Sequence, residues 1–486
     1  MNSRNWQALR IMAILILTLI SGIACNHAPN PPGPNPLSAE IGTQNLASNI
    51  VRSRAMESAL WGMSAVNYDA MYQAALKVGM KDNQFIYWSK PCNWQNQFLT
   101  PNTDALYFLP FYNTKAGPIV VEIPSATNGT IVGTLMDCWQ TPLEDVGPAG
   151  ADAGRGGKYL ILPPDYTGKV PLGYIVLRSS TYAGYALLRS IPKTTSDQDI
   201  AKAVAYGKTI KLYPLATGSN QRQSTFVDAS GQVLDAAIPY DLRFFESLNR
   251  IIQTEPWISR DRGFIDIVKS IGMGKGKTFS PDTSSKTLLI AALADAHATL
   301  DKAYESNPPY YRGKHWFWPI GADLLKAWAS GFTDSNSYPI DQRAGLYYWG
   351  FSSGKRTGAG DQHQLYFFGD RDKDNNPLDG SKSYKLLVPA KVPVSQYWSA
   401  TAYNRATHTL IRDMPYSSRS SLTRELVTND DGTVDIYFGP TAPEGKQSNW
   451  IPTKAGEHFE IIFRLYGFGK AIIDKSWVLP DVEEIK

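Results

Sequence analysis

The sequence predicts a mainly β protein with a helical block, an α+β chain in which two antiparallel β-sandwich modules are joined by helices. Three observations predict it. Short β-branched or aromatic runs bounded by Gly and Pro fill two separate regions of the chain. Between them lies a stretch of helical periodicity. The 39 Gly and 32 Pro suit a turn-rich chain better than a helical bundle, and aromatics reach 12% with 13 Trp and 26 Tyr.

At about 150 residues per domain, 486 residues are enough for two or three domains. Residues 1–24 read as a signal peptide, because Arg4 and Arg10 lead an apolar run from Ile11 to Ile20 that is shorter than the ~20 residues of a membrane span. A Pro-rich, extended tether follows over 25–39. Its first residue, Cys25, ends the string Ser21-Gly22-Ile23-Ala24-Cys25, which suits either lipidation at Cys25 or plain cleavage after Ala24. Both routes predict export, to the periplasm, with membrane contact only through a lipid anchor.

Residues 40–215 form the first β module behind leading helices. Ala47, Ile50, Val51, Met56, Ala59, Leu60, Met63 and Val66 recur at three and four spacing from Gln44 to Lys77, after which Ile119-Val120-Val121-Glu122-Ile123, Tyr159-Leu160-Ile161-Leu162 and Tyr174-Ile175-Val176-Leu177 read as strands. No helix alternates with these strands, which argues against a doubly wound parallel sheet. Over 216–360 the texture is helical. Leu242, Phe245, Leu248 and Ile252 trace one face before Pro256, and Leu289, Leu293, Ala296, Leu300 and Ala303 trace another between Asp282 and Pro308. Residues 361–486 return to strands, where Ile462 inside the alternating run Phe459 to Tyr466 predicts a sheet buried on both faces.

Charged residues are only 19% against 43% hydrophobic, which excludes intrinsic disorder. The formal charge of +4 falls to about +2 once Arg4 and Arg10 leave with the leader, and no basic block appears, so nucleic acid is not an expected partner. Cys92 and Cys138 could form one disulfide in an oxidising compartment, or pack as buried thiols.

Familiar catalytic strings fail on context. Gly350-Phe351-Ser352-Ser353-Gly354 copies a nucleophile elbow but follows a helix instead of a strand. Gly272 to Thr278 lacks phosphate-loop spacing and reads as a surface turn. Asp370, Asp372 and Asp374 alternate like calcium ligands, although Asn375 and Ser381 stand where Gly and Glu belong; calcium here is a minor option, and no other cofactor is expected. The six His show no metal-site spacing.

Polar residues set among aromatics remain. Asn102 and Asp104 lie in Thr100 to Tyr107, and Asp137, Trp139 and Gln140 end a strand; Trp398, Tyr403, Asn449 and Trp450 lie in two C-terminal strings. Carboxylates beside indole and phenol rings suit a sugar or amide site, where rings stack on the substrate and carboxyls move protons.

Ala59 to Tyr68, Thr100 to Tyr107, Gly117 to Pro124, Asp145 to Gly150, Gly157 to Pro164, Tyr397 to Tyr403, Asp431 to Tyr437, Ser448 to Pro452 and Phe463 to Tyr466 carry a resemblance. The chain is similar to bacterial proteins that pair two domains of unknown function, numbered 1254 (N-terminal) and 1214 (C-terminal). The resemblance implies two jelly-roll-like modules joined by helices, similar to bacterial peptide N-glycosidases, and implies no reaction. The leading expectation is an exported hydrolase of a glycan or amide linkage. In it Asp104 or Asp137 is the general acid/base and Asn102, Trp139, Gln140, Trp398, Tyr403, Asn449 and Trp450 contact substrate. The alternative is a non-catalytic envelope module that binds carbohydrate or protein.

Overall fold

The computed structural model describes residues 36–218, 223–333, 337–352, 354–355 and 364–485, with side chains from Leu46 onward. The leader, Cys25, most of the tether and His363 lie outside the described residues. Two compact units divide the chain, Met1–Asn49 and Ile50–Lys486, and the sheets, cores and cavities all belong to the second.

Helix α1 (Pro36–Lys77) starts earlier than Gln44 and ends where the periodicity stops. Its middle turns, from Trp61 to Asp69, are buried on every side, as expected of a helix running through a core. The first module contributes β1 (Gln84–Tyr87), β2 (Asn96–Gln97), β3 (Leu106–Asn113), β4 (Ile119–Ile123), β5 (Ile131–Asp137), β6 (Pro142–Val146), β7 (Gly157–Leu162), β8 (Ile175–Arg178) and β9 (Ala183–Ser190). After α2 (Asp197–Gly207) come β10 (Lys211–Pro214), β11 (Phe226–Asp228) and β12 (Leu234–Asp235), so strands of this module continue past residue 215. One sheet runs β11-β1-β3-β9-β5-β6 and a second β10-β4-β7-β8.

The helical block is α3 (Leu242–Thr254), α4 (Arg262–Ser270), α5 (Thr283–Glu305), α6 (Ala322–Ala329) and α7 (Ile340–Trp349). Asp282 caps α5 by accepting from the Ser285 N–H at 2.8 Å. The second module holds β13 (Gln364–Gly369), β14 (Ser383–Val388), β15 (Val394–Asn404), β16 (Ser418–Ser420), β17 (Val434–Gly439), β18 (Trp450–Pro452), β19 (Phe459–Phe468), α8 (Lys470–Ile473) and β20 (Glu483–Ile485). Its sheets run β13-β19-β15-β16 and β18-β17-β14-β20. The fold is thus mixed α+β with eight α-helices among the described residues and mostly antiparallel sheets; β1 with β11, β2 with β12, β7 with β8 and β17 with β18 pair in parallel, a departure from the purely antiparallel expectation.

Period-two alternation explains how the parts join. In β9, Ala186 and Leu188 point into a cluster shared with the β4–β7 sheet, while Tyr185 and Leu187 point into the central cluster with α1 and the helical block. In β19, Ile461, Phe463 and Leu465 enter the second module's own core, while Ile462 enters that same central cluster. The main sheet of each module is therefore buried on both faces, and its second face packs on the helices between.

Candidate functional site

The same alternation places one arginine of each module on the inner face. Arg189 follows Tyr185 and Leu187 along β9, and Arg464 follows Glu460 and Ile462 along β19. Each has a tyrosine beside it on the next strand, Tyr107 in register with Arg189 and Tyr366 with Arg464. Both arginines border an inner chamber of about 70 Å³, along with Asn102, Tyr107, Trp328, Trp349 and Ser352. Arg189, Ile320, Trp328, Ser352 and Tyr366 also border a larger cleft of about 840 Å³, walled by β5 and β9 on one side, Trp318 and Leu325 on another, and Gln396 and Tyr397 of β15 on a third. Gly133 permits the tight approach of β5 to β9 in that wall: its φ is +155°, and a Cβ there would sit 1.9 Å from the Leu187 carbonyl oxygen.

A polar frame holds the chamber. Asn102 donates from Nδ2 to the Tyr397 hydroxyl at 2.8 Å and the Tyr466 hydroxyl at 2.6 Å, and its Oδ1 accepts from the Asp104 N–H at 2.8 Å. The Asn102 N–H in turn donates to the Tyr107 hydroxyl at 2.8 Å. Arg464 donates from Nη2 to the Thr100 carbonyl at 2.9 Å and from Nη1 to Thr401 Oγ1 at 3.3 Å, with its guanidinium over the rings of Tyr366 and Tyr403. Thus the loop Thr100 to Asp104 of the first module is clamped by the second. No carboxylate is in ion-pair contact with Arg189 or Arg464 among the described residues, although Arg464 lowers the pKa of Asp104. Burial works against the charge of Arg189, yet Tyr107, Tyr366 and Tyr466 raise its pKa overall.

The residues singled out in the sequence are only partly brought together. Asn102 lines the chamber, Tyr397 and Tyr403 being its near neighbours through hydrogen bonding and Arg464. Asp104 is buried behind it and accepts from Ser420 Oγ at 2.7 Å and Ser418 Oγ at 3.4 Å; burial pushes its carboxyl up, opposed by Ser420 and Arg464. Asp137 accepts at Oδ1 from the Trp139 and Thr141 N–H groups, both at 2.9 Å, closing a turn; burial raises it too, against Arg260. Trp139 packs tilted on Trp61, and Gln140 joins the Ser64 carbonyl to the Tyr185 hydroxyl. Trp398 stacks on Phe463 inside the second core. Asn449 bridges Val427 and Asp435, and Trp450 Nε1 donates to the Gly439 carbonyl. None of these last seven borders either cavity.

Cys92 and Cys138 are free and buried, so the disulfide does not form. Their surroundings differ, Cys92 acting on Tyr107 and Cys138 on Tyr68 and Tyr112, and burial pushes both thiols up. The three aspartates of the calcium option do not converge either. Asp370 pairs with Arg405 at 3.3 Å, and Asp372 accepts from the N–H groups of Asp374 and Asn376, both at 2.9 Å. Among the described residues no group of three or more His, Cys, Asp or Glu is placed to hold a metal ion, and no helix is long and apolar enough to cross a membrane.

Sequence reasoning missed Arg189, Arg464 and the Trp318–Trp328 wall. A signal existed for one of them: if β19 is buried on both faces, Arg464 within it has to be buried as well.

Fold and cavities together define an α+β protein with a cleft enclosed by two β modules and the helices between them. Residues 83–214 match the family described as a protein of unknown function, DUF1254, and residues 363–469 match a second such family, DUF1214; the chain carries both domains, in that order. Comparison with the curated proteins finds no match. Among solved structures, the VPA0106 protein from Vibrio parahaemolyticus is similar in fold, with a TM-score of 0.53 at 20% identity over 90% of this chain and 100% of that one. A protein from Burkholderia cenocepacia matches with a TM-score of 0.39 at 12% identity, over 94% of this chain and 91% of that one.

Proposed function

We propose that the chain is a binding protein for a small organic molecule, held in the cleft between the two modules. One observation carries the reading: the cleft of about 840 Å³ falls in the range of small-molecule sites, roughly 300–1,000 Å³, and mixes indole and phenol rings with a few polar groups. Hydrolysis of a glycan or amide linkage is the second reading. It draws support from Ser352 at the cleft wall, while Asp104, whose carboxyl burial pushes up, lies behind the chamber and not on its lining. Binding without turnover is preferred because the described lining contributes one carboxylate, Asp145, which accepts from Thr134 Oγ1 at 2.7 Å and from the Lys355 N–H at 3.0 Å. Glycoside hydrolysis by acid and base needs a pair.

The proposal includes export through residues 1–24, with Cys25 as an anchor, and a jelly-roll arrangement of each module, supported by the two sheets that share each apolar cluster. A thermal-shift screen of the purified protein against metabolite pools tests the binding reading. A ligand at a hundredfold excess over its Kd should add about 2.7 kcal/mol of stability. Val132→Trp, which fills the cleft from β5, should remove that gain; a gain that persists in the variant, or silence throughout, sinks the reading.

A further inference from the structure

We infer that the ligand of this cleft is an organic carboxylate, its head group seated in the inner chamber against Arg189 and its apolar body lying along Trp318 and Trp328. The inference rests on the cleft reading and deepens it.

Orphaned hydrogen-bond groups point to the head group. Arg189 Nε, Arg464 Nε and Trp328 Nε1 are buried and have no hydrogen-bond partner among the described residues, and all three residues line the chamber. All three are donors. The Tyr107 hydroxyl accepts from Asn102 and donates to no protein oxygen among the described hydrogen bonds, which adds a fourth. Buried donors are almost always satisfied in a native protein, so a chamber whose unmet groups are all donors calls for a group that only accepts. An ionised carboxylate is such a group, and a planar guanidinium receives it through paired N–H bonds.

Charge selects a monoanion. Two guanidiniums face the chamber region, and Asp104, which accepts from two serine hydroxyls behind it, offsets one of them. Among the described residues bordering the chamber, with Asp104 ionised, one positive charge is left over. A dianionic phosphate ester would exceed this balance, whereas a carboxylate meets it. The remaining wall is apolar where the body would rest, with Trp318, Trp328, Leu325 and Phe468, so a bare small anion would leave that surface unused.

Isothermal titration with matched pairs tests the inference, each pair a carboxylate and its primary amide: hexanoate, octanoate, phenylacetate and 4-phenylbutyrate. At least one carboxylate should bind, roughly tenfold or more tighter than its amide. Arg189→Gln and Arg189→Met should each bring acid and amide level, two variants being used so that misfolding of one leaves the other informative, and Arg189→Lys should keep part of the preference. Equal binding of acids and amides, blocked by Val132→Trp, would overturn the carboxylate and leave the cleft reading standing. Acid preference that survives both neutral Arg189 variants, or no binding by any carboxylate, also overturns it. Binding that survives Val132→Trp overturns both readings.

Discussion

Arg189 and Arg464 occupy matching places in the two modules and are treated in opposite ways. Both lie on a strand in the middle of a main sheet, both face inward, and both have a tyrosine in register on the neighbouring strand. Arg464 is fastened: two of its nitrogens reach oxygens of Thr100 and Thr401, and its charge is felt by Asp104. Among the described residues, Arg189 has the Tyr107 side chain, its ring at 5.7 Å and its hydroxyl in hydrogen-bonding range, and no carboxylate against it. A buried charge held by oxygens from two modules helps specify a fold, whereas one whose neighbours are tyrosine side chains of its surroundings, with Nε unmet, carries a cost that stability alone does not explain. The difference separates a joint from a site.

The largest expected effect breaks this comparison directly. Arg464→Met should destabilise by about 3 kcal/mol, because it strands the Thr100 carbonyl and the Thr401 hydroxyl, two buried groups. Arg189→Met should stay within about 0.5 kcal/mol of wild type or gain stability. Urea denaturation of both reads the contrast, and a larger cost at Arg189 would reverse the assignment. Next in size, Asn102→Ala should cost about 2 kcal/mol, since the hydroxyls of Tyr397 and Tyr466 and the N–H of Asp104 lose a buried partner together.

A smaller, pH-dependent effect sharpens the joint. Burial raises the Asp104 carboxyl, so the folded state holds that proton more tightly than the unfolded chain does. Asp104 therefore costs no stability below the unfolded pKa of about 3.9; its cost grows from there up to the raised folded value and levels off above it. The stability difference between Asp104→Asn and wild type should move in the variant's favour from pH 4 to pH 7; a flat difference would remove Asp104 from the charge balance. The smallest effect concerns the thiols. Cys92 and Cys138 should resist Ellman's reagent until the protein unfolds, and reductant should leave the melting temperature unchanged.

Elements with one strong period were legible in the sequence. Leu242 to Ile252 and Leu289 to Ala303 are helix faces in α3 and α5, and Phe459 to Tyr466 is a strand buried on both sides, because each pattern is local and repeats. The candidate site was not legible in that way. Asp137, Trp139 and Gln140 stand out as a polar string beside a tryptophan, yet their groups satisfy a buried turn, a role that composition cannot tell from chemistry. Arg189 is one letter in Tyr185-Ala186-Leu187-Leu188-Arg189, and its surroundings come from Tyr107, Trp328 and Tyr366, far away in the chain. Such a chamber exists only after long-range pairing, which no window of residues displays.

Strand β19 supplies the inner wall with Arg464 and follows every other strand of its sheet in the chain. Its partners in β15 and β13 precede it by tens of residues, and the loop it clamps, Thr100 to Asp104, by more than three hundred. During synthesis the first module must wait with the Thr100 to Asp104 loop unclamped, although α1 and the helical block already cover its inner sheet face. A chain cut short before Phe459 therefore lacks both the clasp and the inner wall of the chamber.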